Sequence, residues 1–362
     1  MKSLEDPRSA RGVRHRLDEM LLIVIFAVIC GAEDCEGIAD FGRAKEAWLR
    51  TFLTLRYGIP CGETFRRIFA ALNPETLEEC LMRWLKGWKA YRRGGQVAVD
   101  GKRLRRSFDR ASDKAAIHMI GAWATESGLA LGQLAVDGKE NEITAMPRLL
   151  ELLDLKGATV TVDAMGCQRA IAAQIVAQGG DYVLALKANQ PTLHEDAKLL
   201  LDEGIAKGFD GPHDYYESLD KGHGRIETRR VWVTEDISWF SAKDRWANLR
   251  TWAAVECKRE VGDRVSTERR YFISSLPPDA QAIAQAVRQH WQIENGLHWV
   301  LDTAFAEDQN RLRSGNAAEN FSRINRFALS MIKQEKTHKL GIKNKRLRAG
   351  WDEHYLLKIL AT

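Results

Sequence analysis

The first 90 residues of the chain carry apolar side chains at helical spacing. Gly31 ends the first apolar stretch, and Pro74 opens the last one, since proline is favoured in the first turn of a helix. This part of the chain is therefore predicted to be all helical. The predicted helices span residues 17–29, 38–55, 64–72 and 75–91.

Short apolar runs rich in β-branched residues replace the helical spacing from Gln96 onward and predict strands. Gly101 is expected to turn the chain sharply, so that Asp100 ends the first strand. The strands alternate with amphipathic helices, an order that predicts parallel strands under helical cover. The predicted strands span residues 96–100, 117–124, 129–136, 158–163 and 182–186, and the predicted helices 146–153, 169–178 and 191–201.

The helical period disappears between residues 204 and 278, which predicts an inserted β-rich subdomain. Its segment 215–230 contains the glycine-rich basic sequence 221–225, which fits either a mobile surface loop or a phosphate-contacting loop. A long helix is predicted after Pro278. The strand-like runs of the insertion are residues 230–233, 251–257 and 269–274, and the helices that follow span about 279–305 and 317–334.

Length and composition limit the class of protein. A chain of 362 residues with 45% hydrophobic content is long enough for two or three domains with a buried core. The formal net charge of +5 is compatible with a nucleic-acid partner. The cysteines form no Cys-x-x-Cys pair, so neither a zinc site nor a disulfide framework is indicated and a cytoplasmic location is expected. The longest apolar run, residues 21–29, is shorter than the ~20 residues of a membrane span, so no membrane partner is expected.

Three acidic residues accompany these elements. Asp100 and Asp163 each follow a predicted strand, and Glu294 lies beside the apolar stripe of the helix after Pro278. Each has an ordinary explanation, an Asx-type turn for the aspartates and a solvated helix position for the glutamate. Together they supply the hard oxygen ligands that two Mg²⁺ ions need when a phosphodiester is cut by in-line displacement. The three residues therefore predict a two-metal site.

Basic residues cluster in three places. The run 102–106 follows Asp100 directly. Arg66 and Arg67 lie on the predicted helix 64–72, which fits either a DNA-recognition helix or a bundle helix with a solvated basic face. Residues 333–348 hold seven Lys or Arg against a single acid, which fits phosphate contacts or a solvated tail.

Four motifs surround these candidates: Val-Ala-Val-Asp-Gly-Lys at 97–102, Thr-Val-Asp-Ala-Met-Gly-Cys-Gln at 161–168, Leu-Lys-Ala-Asn-Gln at 186–190, and His-Trp-Gln-Ile-Glu-Asn-Gly-Leu-His-Trp at 290–299. With them the chain resembles, over nearly its whole length, the DDE transposases of bacterial insertion sequences. The branch that it resembles most contains the H-repeat-associated proteins of Rhs elements. The resemblance implies that Asp100, Asp163 and Glu294 are the catalytic, metal-binding triad, with two Mg²⁺ per active site and Mn²⁺ as a substitute.

The resemblance also implies the fold class, which is α/β: an RNase H-like catalytic core with an inserted β-rich subdomain and an all-helical N-terminal domain. The expected domains are residues 1–92 for DNA binding or association, 93–203 for the first part of the core, 204–278 for the β-rich insertion, 279–334 for the second part of the core with the catalytic helix, and 335–362 for a basic C-terminal tail.

The chain departs from the broader group of transposases with a β insertion at three positions. There a tyrosine and an arginine precede the glutamate by seven and four residues and a lysine follows it by seven, where this chain has Val287, His290 and Leu301. Other residues are therefore expected to grip the phosphates of the DNA ends. Of the acids after Glu294, Asp302 is the strongest candidate for a supporting role, ahead of Glu307 and Asp308. The candidate DNA-binding residues are Lys102, Arg103, Arg105, Arg106, Lys187, Arg288, His290, His298, Arg66 and Arg67.

The expected function is that of a Mg²⁺-dependent transposase that binds double-stranded DNA at the terminal inverted repeats of its element. It hydrolyses a strand to expose a 3′ hydroxyl and joins that hydroxyl to target DNA. Synapsis of two ends requires at least a homodimer, and a cytoplasmic bacterial protein associated with the nucleoid is expected. Two alternatives stay open: an RNase H-like nuclease that cuts without joining, and a catalytically silent DNA-binding remnant of a mobile element.

Overall fold

A computed structural model of the chain describes residues 4–9, 13–108, 115–136, 141–209, 211–222, 224–238 and 240–361. Within these residues the chain is mixed α/β with a helical N-terminal region. It groups into two compact units. Unit 1 comprises residues 1–92, 101–141 and 294–362, and unit 2 comprises residues 93–100 and 142–293. None of the described helices is both long and apolar enough to cross a membrane.

The elements are numbered along the chain. The helices are α1 (Leu17–Ile29), α2 (Cys35–Ala44), α3 (Glu46–Leu49), α4 (Gly62–Ala71), α5 (Pro74–Leu85), α6 (Glu142–Glu151), α7 (Arg169–Ala177), α8 (Pro191–Lys207), α9 (Ala280–His290), α10 (Trp299–Ala304), α11 (Ala317–Gln334), α12 (Ile342–Trp351) and α13 (Glu353–Leu360). The strands are β1 (Gly95–Arg103), β2 (His118–Ala124), β3 (Leu129–Val136), β4 (Ala158–Val162), β5 (Asp181–Leu186), β6 (His213–Gly222), β7 (Arg225–Thr234), β8 (Thr251–Val261) and β9 (Arg264–Ser274).

Several predicted boundaries agree with the structure and others do not. The helices predicted at 17–29 and 317–334 are confirmed as α1 and α11. The single helix predicted at 38–55 is wrong, because α2 and the four-residue α3 are separate and helix ends at Leu49. The turn predicted at Gly101 is also wrong. Strand β1 continues through this glycine to Arg103, so Asp100 lies within the strand and not at its end.

Unit 1 is organised around α11, which is buried nearly all round and packs against α1, α4, α5, α12 and β3. A helix in this environment needs partners for its polar side chains. Asn320 Nδ2 donates to the carbonyls of Phe69 and Leu72, both at 2.9 Å, at the end of α4. Arg323, which is fully buried, forms an ion pair with Glu78 of α5 at 3.0 Å. Paired polar groups therefore hold the N-terminal helices to α11.

The C-terminal residues fold as α12 and α13. The prediction that the basic segment 333–348 contacts phosphates or is solvated is therefore wrong for part of its cations. Lys345 and Arg346 are buried. The Arg346 guanidinium donates to the Val28 carbonyl at the end of α1 at 2.8 Å, and the Lys345 ammonium lies 3.6 Å from the Glu335 carboxylate. Both cations therefore have partners inside the protein. Lys345 neutralises the Glu335 carboxylate, and Arg346 caps the C-terminal end of α1.

Glu335 is a buried acid that this segment supplies with hydrogen bonds. Its Oε2 accepts from the Tyr355 hydroxyl at 2.7 Å, and its Oε1 accepts from the backbone N–H of Thr337 at 2.7 Å. Burial raises the pKa of Glu335, but the hydrogen bonds from Thr337 and Tyr355 outweigh it and lower the pKa to about 2. The side chain is therefore ionised at neutral pH inside unit 1.

Unit 2 is built on a large mixed sheet with the strand order β1-β4-β5-β9-β8-β7-β6. The pairs β1/β4 and β4/β5 are parallel, which confirms the prediction from strand and helix alternation. The remaining pairs are antiparallel. Segment 215–230 forms most of the β6/β7 hairpin instead of the predicted loop. His223 lies outside the described residues.

Candidate active site

Asp100 and Asp163 follow paired residues on two parallel strands of unit 2. Val99 of β1 pairs with Val162 of β4. Asp100 is the next residue of β1, and Asp163 follows the last residue of β4 with an extended backbone. Side chains alternate between the two faces of a sheet and neighbouring strands lie about 4.8 Å apart, so the two carboxylates point to the same face side by side. Both residues are half-buried. Two adjacent hard oxygen donors of this kind fit a divalent cation.

The Asx-type turn expected at Asp163 is present together with this arrangement. Its Oδ1 accepts hydrogen bonds from the backbone N–H groups of Met165 at 3.1 Å and Gly166 at 3.3 Å. These bonds cap the 3₁₀ turn Ala164–Gly166 and fix the orientation of the carboxylate. The turn and a metal-binding role are compatible, because both hydrogen bonds go to one of the two carboxylate oxygens.

Helix α9 covers the face of the sheet that carries the aspartates. Gln96 precedes Asp100 by four residues and shares its face, and its Nε2 donates to the Ala286 carbonyl of α9 at 2.7 Å. Thr161 precedes Asp163 by two residues, and its Oγ1 lies 3.0 Å from Nδ1 of His290. The C-terminal end of α9 is thus anchored on the strand residues that lead to the aspartates.

His290 is half-buried at this anchor. Burial lowers its pKa, and the nearby Asp163 carboxylate opposes the shift without reversing it. The imidazole is therefore mainly neutral at pH 7, which suits a hydrogen bond to Thr161 better than a charge contact with phosphate.

Glu294 follows α9 by four residues and is the first residue of the last segment of unit 1. The long helix predicted over 279–305 is interrupted here, since residues Ile293–His298 form a π-helical turn between α9 and α10. Such turns are rare and recur at functional sites. Glu294 is exposed, and one of its carboxylate oxygens lies within 4.8 Å of a ring nitrogen of His298.

His298 is buried, with 5% of its surface exposed. Burial, followed by the positive charges of Arg326 and Lys102, lowers its pKa to about 2. The ring is therefore neutral at physiological pH and carries no charge with which to attract a phosphate. Its predicted place among the DNA-binding residues thus lacks support from its surroundings.

Lys102 is buried as well, with 8% of its surface exposed. Its ammonium group forms an ion pair with Asp302 at 2.5 Å and lies 3.5 Å from the His298 carbonyl oxygen. Glu307 and Asp308 are 3.9 and 4.0 Å away. The acids expected to support the triad therefore surround Lys102. No local sequence pattern indicates the pairing of Lys102 with Asp302 across 200 residues.

The remaining predicted DNA-binding residues of unit 1 lie nearer the surface. Arg103 is exposed, Arg105 is exposed and lies 3.2 Å from Asp308, and Arg106 is half-buried. Arg66 and Arg67 project from α4, and both pair with Glu63 of the same helix. The opposite face of α4 is apolar and buried, so this helix packs in a bundle and presents a basic face to solvent.

Two predicted DNA-binding residues belong to unit 2. Lys187 is exposed directly after β5. Arg288 is exposed on α9, where its guanidinium forms an ion pair with Asp220 of β6. The same carboxylate accepts from Arg229 of β7 at 2.6 Å.

Two protein families match the chain. The family described as "Transposase DDE domain" matches residues 86–331, and the family "DDE_Tnp_1-associated" matches residues 1–85. The first match alone covers more than half of the 362 residues. The chain therefore belongs to the DDE transposase family, which confirms the resemblance seen in its motifs. This domain is that of a transposase-type enzyme, a class that acts on DNA and uses a divalent metal.

Individual proteins show the same relationship. "H repeat-associated putative transposase YhhI" of Escherichia coli (strain K12) is 37% identical over 366 residues, covering 99% of this chain and 96% of the relative. "Putative protein YbfL" of the same strain is 38% identical with the same coverage. Among solved structures, the cryo-EM structure of a piggyBac transposase synaptic complex with hairpin DNA covers 100% of this chain and 76% of its own, with 10% identity and a TM-score of 0.43. That score is too low to support an argument.

Proposed function

We propose that the chain is a divalent-metal-dependent DNA transposase with an RNase H-like core. It binds the terminal inverted repeats of its element, hydrolyses a strand to expose a 3′ hydroxyl, and joins that hydroxyl to target DNA. The observation that carries the proposal is that Asp100 and Asp163 directly follow the paired residues Val99 of β1 and Val162 of β4, on the face covered by α9. Family membership supplies the reaction class.

In this proposal Asp100, Asp163 and Glu294 would hold two Mg²⁺ or Mn²⁺ ions. When bound, the ions activate the attacking water or hydroxyl and stabilise the leaving oxygen. The protein supplies the placement. Gln96 and His290 fix α9 on the sheet, and α9 in turn leads the chain to Glu294 four residues beyond His290.

The exposed cationic side chains are proposed to bind phosphates, while buried Lys102 stabilises the structure around the candidate site. Lys102 is paired with Asp302 and thereby holds the strand after Asp100 to the segment after Glu294 within unit 1. Two copies of the chain are proposed to pair two DNA ends. The residues proposed to contact phosphates are Arg66, Arg67, Arg103, Arg105, Arg106, Lys187 and Arg288.

The test is cleavage and strand transfer on labelled terminal-repeat DNA from the flanks of the encoding gene, with Mg²⁺ or Mn²⁺. Asp163→Asn and Glu294→Gln are each expected to lower the rate by about a thousandfold, because each removes a metal ligand worth several kcal/mol in the transition state. Glu195→Gln, which changes an exposed carboxylate on α8, is the matched control and should act as wild type.

The outcomes separate the proposal from its rivals. Joined products that depend on both acids support a transposase. Strand cleavage without joined products would favour the RNase H-like nuclease. Salt-dependent binding of the ends without cleavage or joining would favour a silent DNA-binding remnant.

A further inference from the structure

The π-helical turn Ile293–His298 presents two groups that can ligate a metal ion. Glu294 and His298 are four residues apart, and the wider i→i+5 turn places residues at this spacing nearly above one another. Their nearest ligand atoms lie within 4.8 Å. Two donors that each bind one ion at about 2.1 Å lie at most about 4.2 Å apart, a separation that a small side-chain rotation achieves.

We propose that His298 is a metal-binding residue, and that one divalent ion is shared by its imidazole and the Glu294 carboxylate. The proposal rests on the metal-dependent function proposed above and adds a nitrogen donor to a set of carboxylates. It replaces the phosphate contact that the sequence predicted for this histidine, since a ring with 5% of its surface exposed is shielded from the phosphates of DNA, whereas imidazole nitrogen is a common metal ligand.

The charges around His298 permit a cation beside it. The cations that act on the ring are Lys102 and Arg326. Lys102 is neutralised by Asp302. Glu307, Glu78 and Asp302 act on Arg326 with the opposite sign and Arg323 with the same sign, and Arg323 is itself paired with Glu78 and Glu319. Lys102 also lies 3.5 Å from the His298 carbonyl oxygen, so it holds the backbone of the turn in place. The cluster is therefore close to charge balance.

A nitrogen donor has a consequence for the choice of metal. Mg²⁺ prefers oxygen ligands and keeps several waters, whereas imidazole favours transition metals. The chain is therefore expected to prefer Mn²⁺ over Mg²⁺ more strongly than a site built from carboxylates alone. The additional preference for Mn²⁺ should disappear when the imidazole of His298 is removed and the carboxylate of Glu294 stays.

The experiment uses the full-length protein without DNA. Mn²⁺ binding is measured from the electron paramagnetic resonance signal of the free ion, Mg²⁺ binding by competition, and the ligand by the nitrogen coupling in pulsed spectra of bound Mn²⁺. The variants are His298→Gln, Glu294→Gln and Asp163→Asn. His194→Gln, a half-buried histidine on α8, is the matched control. Wild-type protein carrying ¹⁵N-histidine provides a measurement that needs no substitution.

The wild type and His194→Gln should show the coupling of a nitrogen bound directly to Mn²⁺. In wild-type protein labelled with ¹⁵N-histidine, this coupling should change to that of ¹⁵N. His298→Gln should lose this coupling and bind Mn²⁺ about tenfold more weakly, with less than about a threefold change for Mg²⁺. Glu294→Gln should weaken the binding of both Mn²⁺ and Mg²⁺. Bound Mn²⁺ without nitrogen coupling in the wild type overturns the inference, as does coupling that persists in His298→Gln.

The same data separate this inference from the proposed function. If Glu294→Gln and Asp163→Asn weaken metal binding but nitrogen coupling is absent, His298 is not a ligand and the carboxylate site stands. If neither acid affects metal binding, the proposed metal site itself fails. Circular dichroism establishes that each variant is folded. Should His298→Gln fail to fold, wild-type protein without ¹⁵N-histidine coupling still overturns the inference.

Discussion

Two buried charges in unit 1 are paired with residues that lie far away in the sequence. Lys102 pairs with Asp302 and Arg323 with Glu78. An unpaired buried charge costs several kcal/mol, so each of these side chains depends on its partner. The sequence indicated Asp100, Asp163 and Glu294 because acids beside apolar elements are conspicuous. It could not indicate the buried pairs, since no local pattern connects residues separated by 200 positions or more.

Tyr355→Phe tests one such buried interaction, because it removes the hydroxyl that donates to Glu335. The free energy of unfolding is expected to fall by about 1–3 kcal/mol at pH 7. Glu335 has a pKa of about 2 in the folded protein against 4.5 unfolded. Its contribution is therefore fully present above pH 4.5 and is lost as the pH falls toward 2.

The measurement is denaturant unfolding of wild type and Tyr355→Phe between pH 7 and pH 3. The difference between them should shrink below pH 4.5. Tyr57→Phe, at an exposed tyrosine of the same unit, is the control and should match wild type throughout. A difference that stays constant down to pH 3 would show that Glu335 is not the partner that matters.

At the scale of elements, strands with an apolar face were predicted well and β6 was missed. Its residues are exposed or half-buried along their whole length, because β6 lies at the edge of the sheet. The regular alternation of apolar and polar residues that reveals a half-buried strand is therefore absent from the sequence of β6. The missed strand matters for the candidate site, since it supplies Asp220 as the partner of Arg288 on α9.

Asp220→Asn is expected to release Arg288 for phosphate. DNA affinity at low salt should rise about three- to tenfold, and the salt dependence should steepen by about one phosphate contact. Binding is measured by fluorescence anisotropy over a salt series. Glu217→Gln makes the same charge change on the same strand and removes the Glu217 partner of Arg230 instead, while Arg230 keeps Glu256. Equal gains in the two variants would attribute the effect to net charge and not to Arg288.

At the scale of the whole molecule, compact units and sequence segments do not coincide. Unit 1 is assembled from three segments and unit 2 from two. Shifts in composition or periodicity can mark only contiguous segments, so the sequence could suggest a mixed α/β chain but not this division. The C-terminal residues show the difference, because their basic composition suggested a tail while Lys345, Arg346 and Tyr355 are buried.

Removal of residues 335–362 is therefore expected to destabilise the protein severely, lowering the midpoint of thermal unfolding by about 10 °C or more or preventing folding. The deletion removes the cap on α1 and uncovers apolar surface of α11. Replacing the exposed Lys336, Lys339 and Lys343 by Gln removes charge without uncovering the core and is the control. A truncated protein as stable as the wild type would contradict the structural role of α12 and α13.

Strand β9 joins the strands β1, β4 and β5 of the sheet in unit 2 to the strands β6, β7 and β8 of the same sheet. It hydrogen-bonds to β5 on one edge and to β8 on the other, although it is the last strand of the insertion predicted from the sequence. The predicted insertion, residues 204–278, consequently cannot be exchanged between relatives as one independent segment. A chimaera that receives a foreign β6, β7 and β8 can keep the sheet intact only if β9 stays with the recipient, with the junction in the turn between Val261 and Arg264.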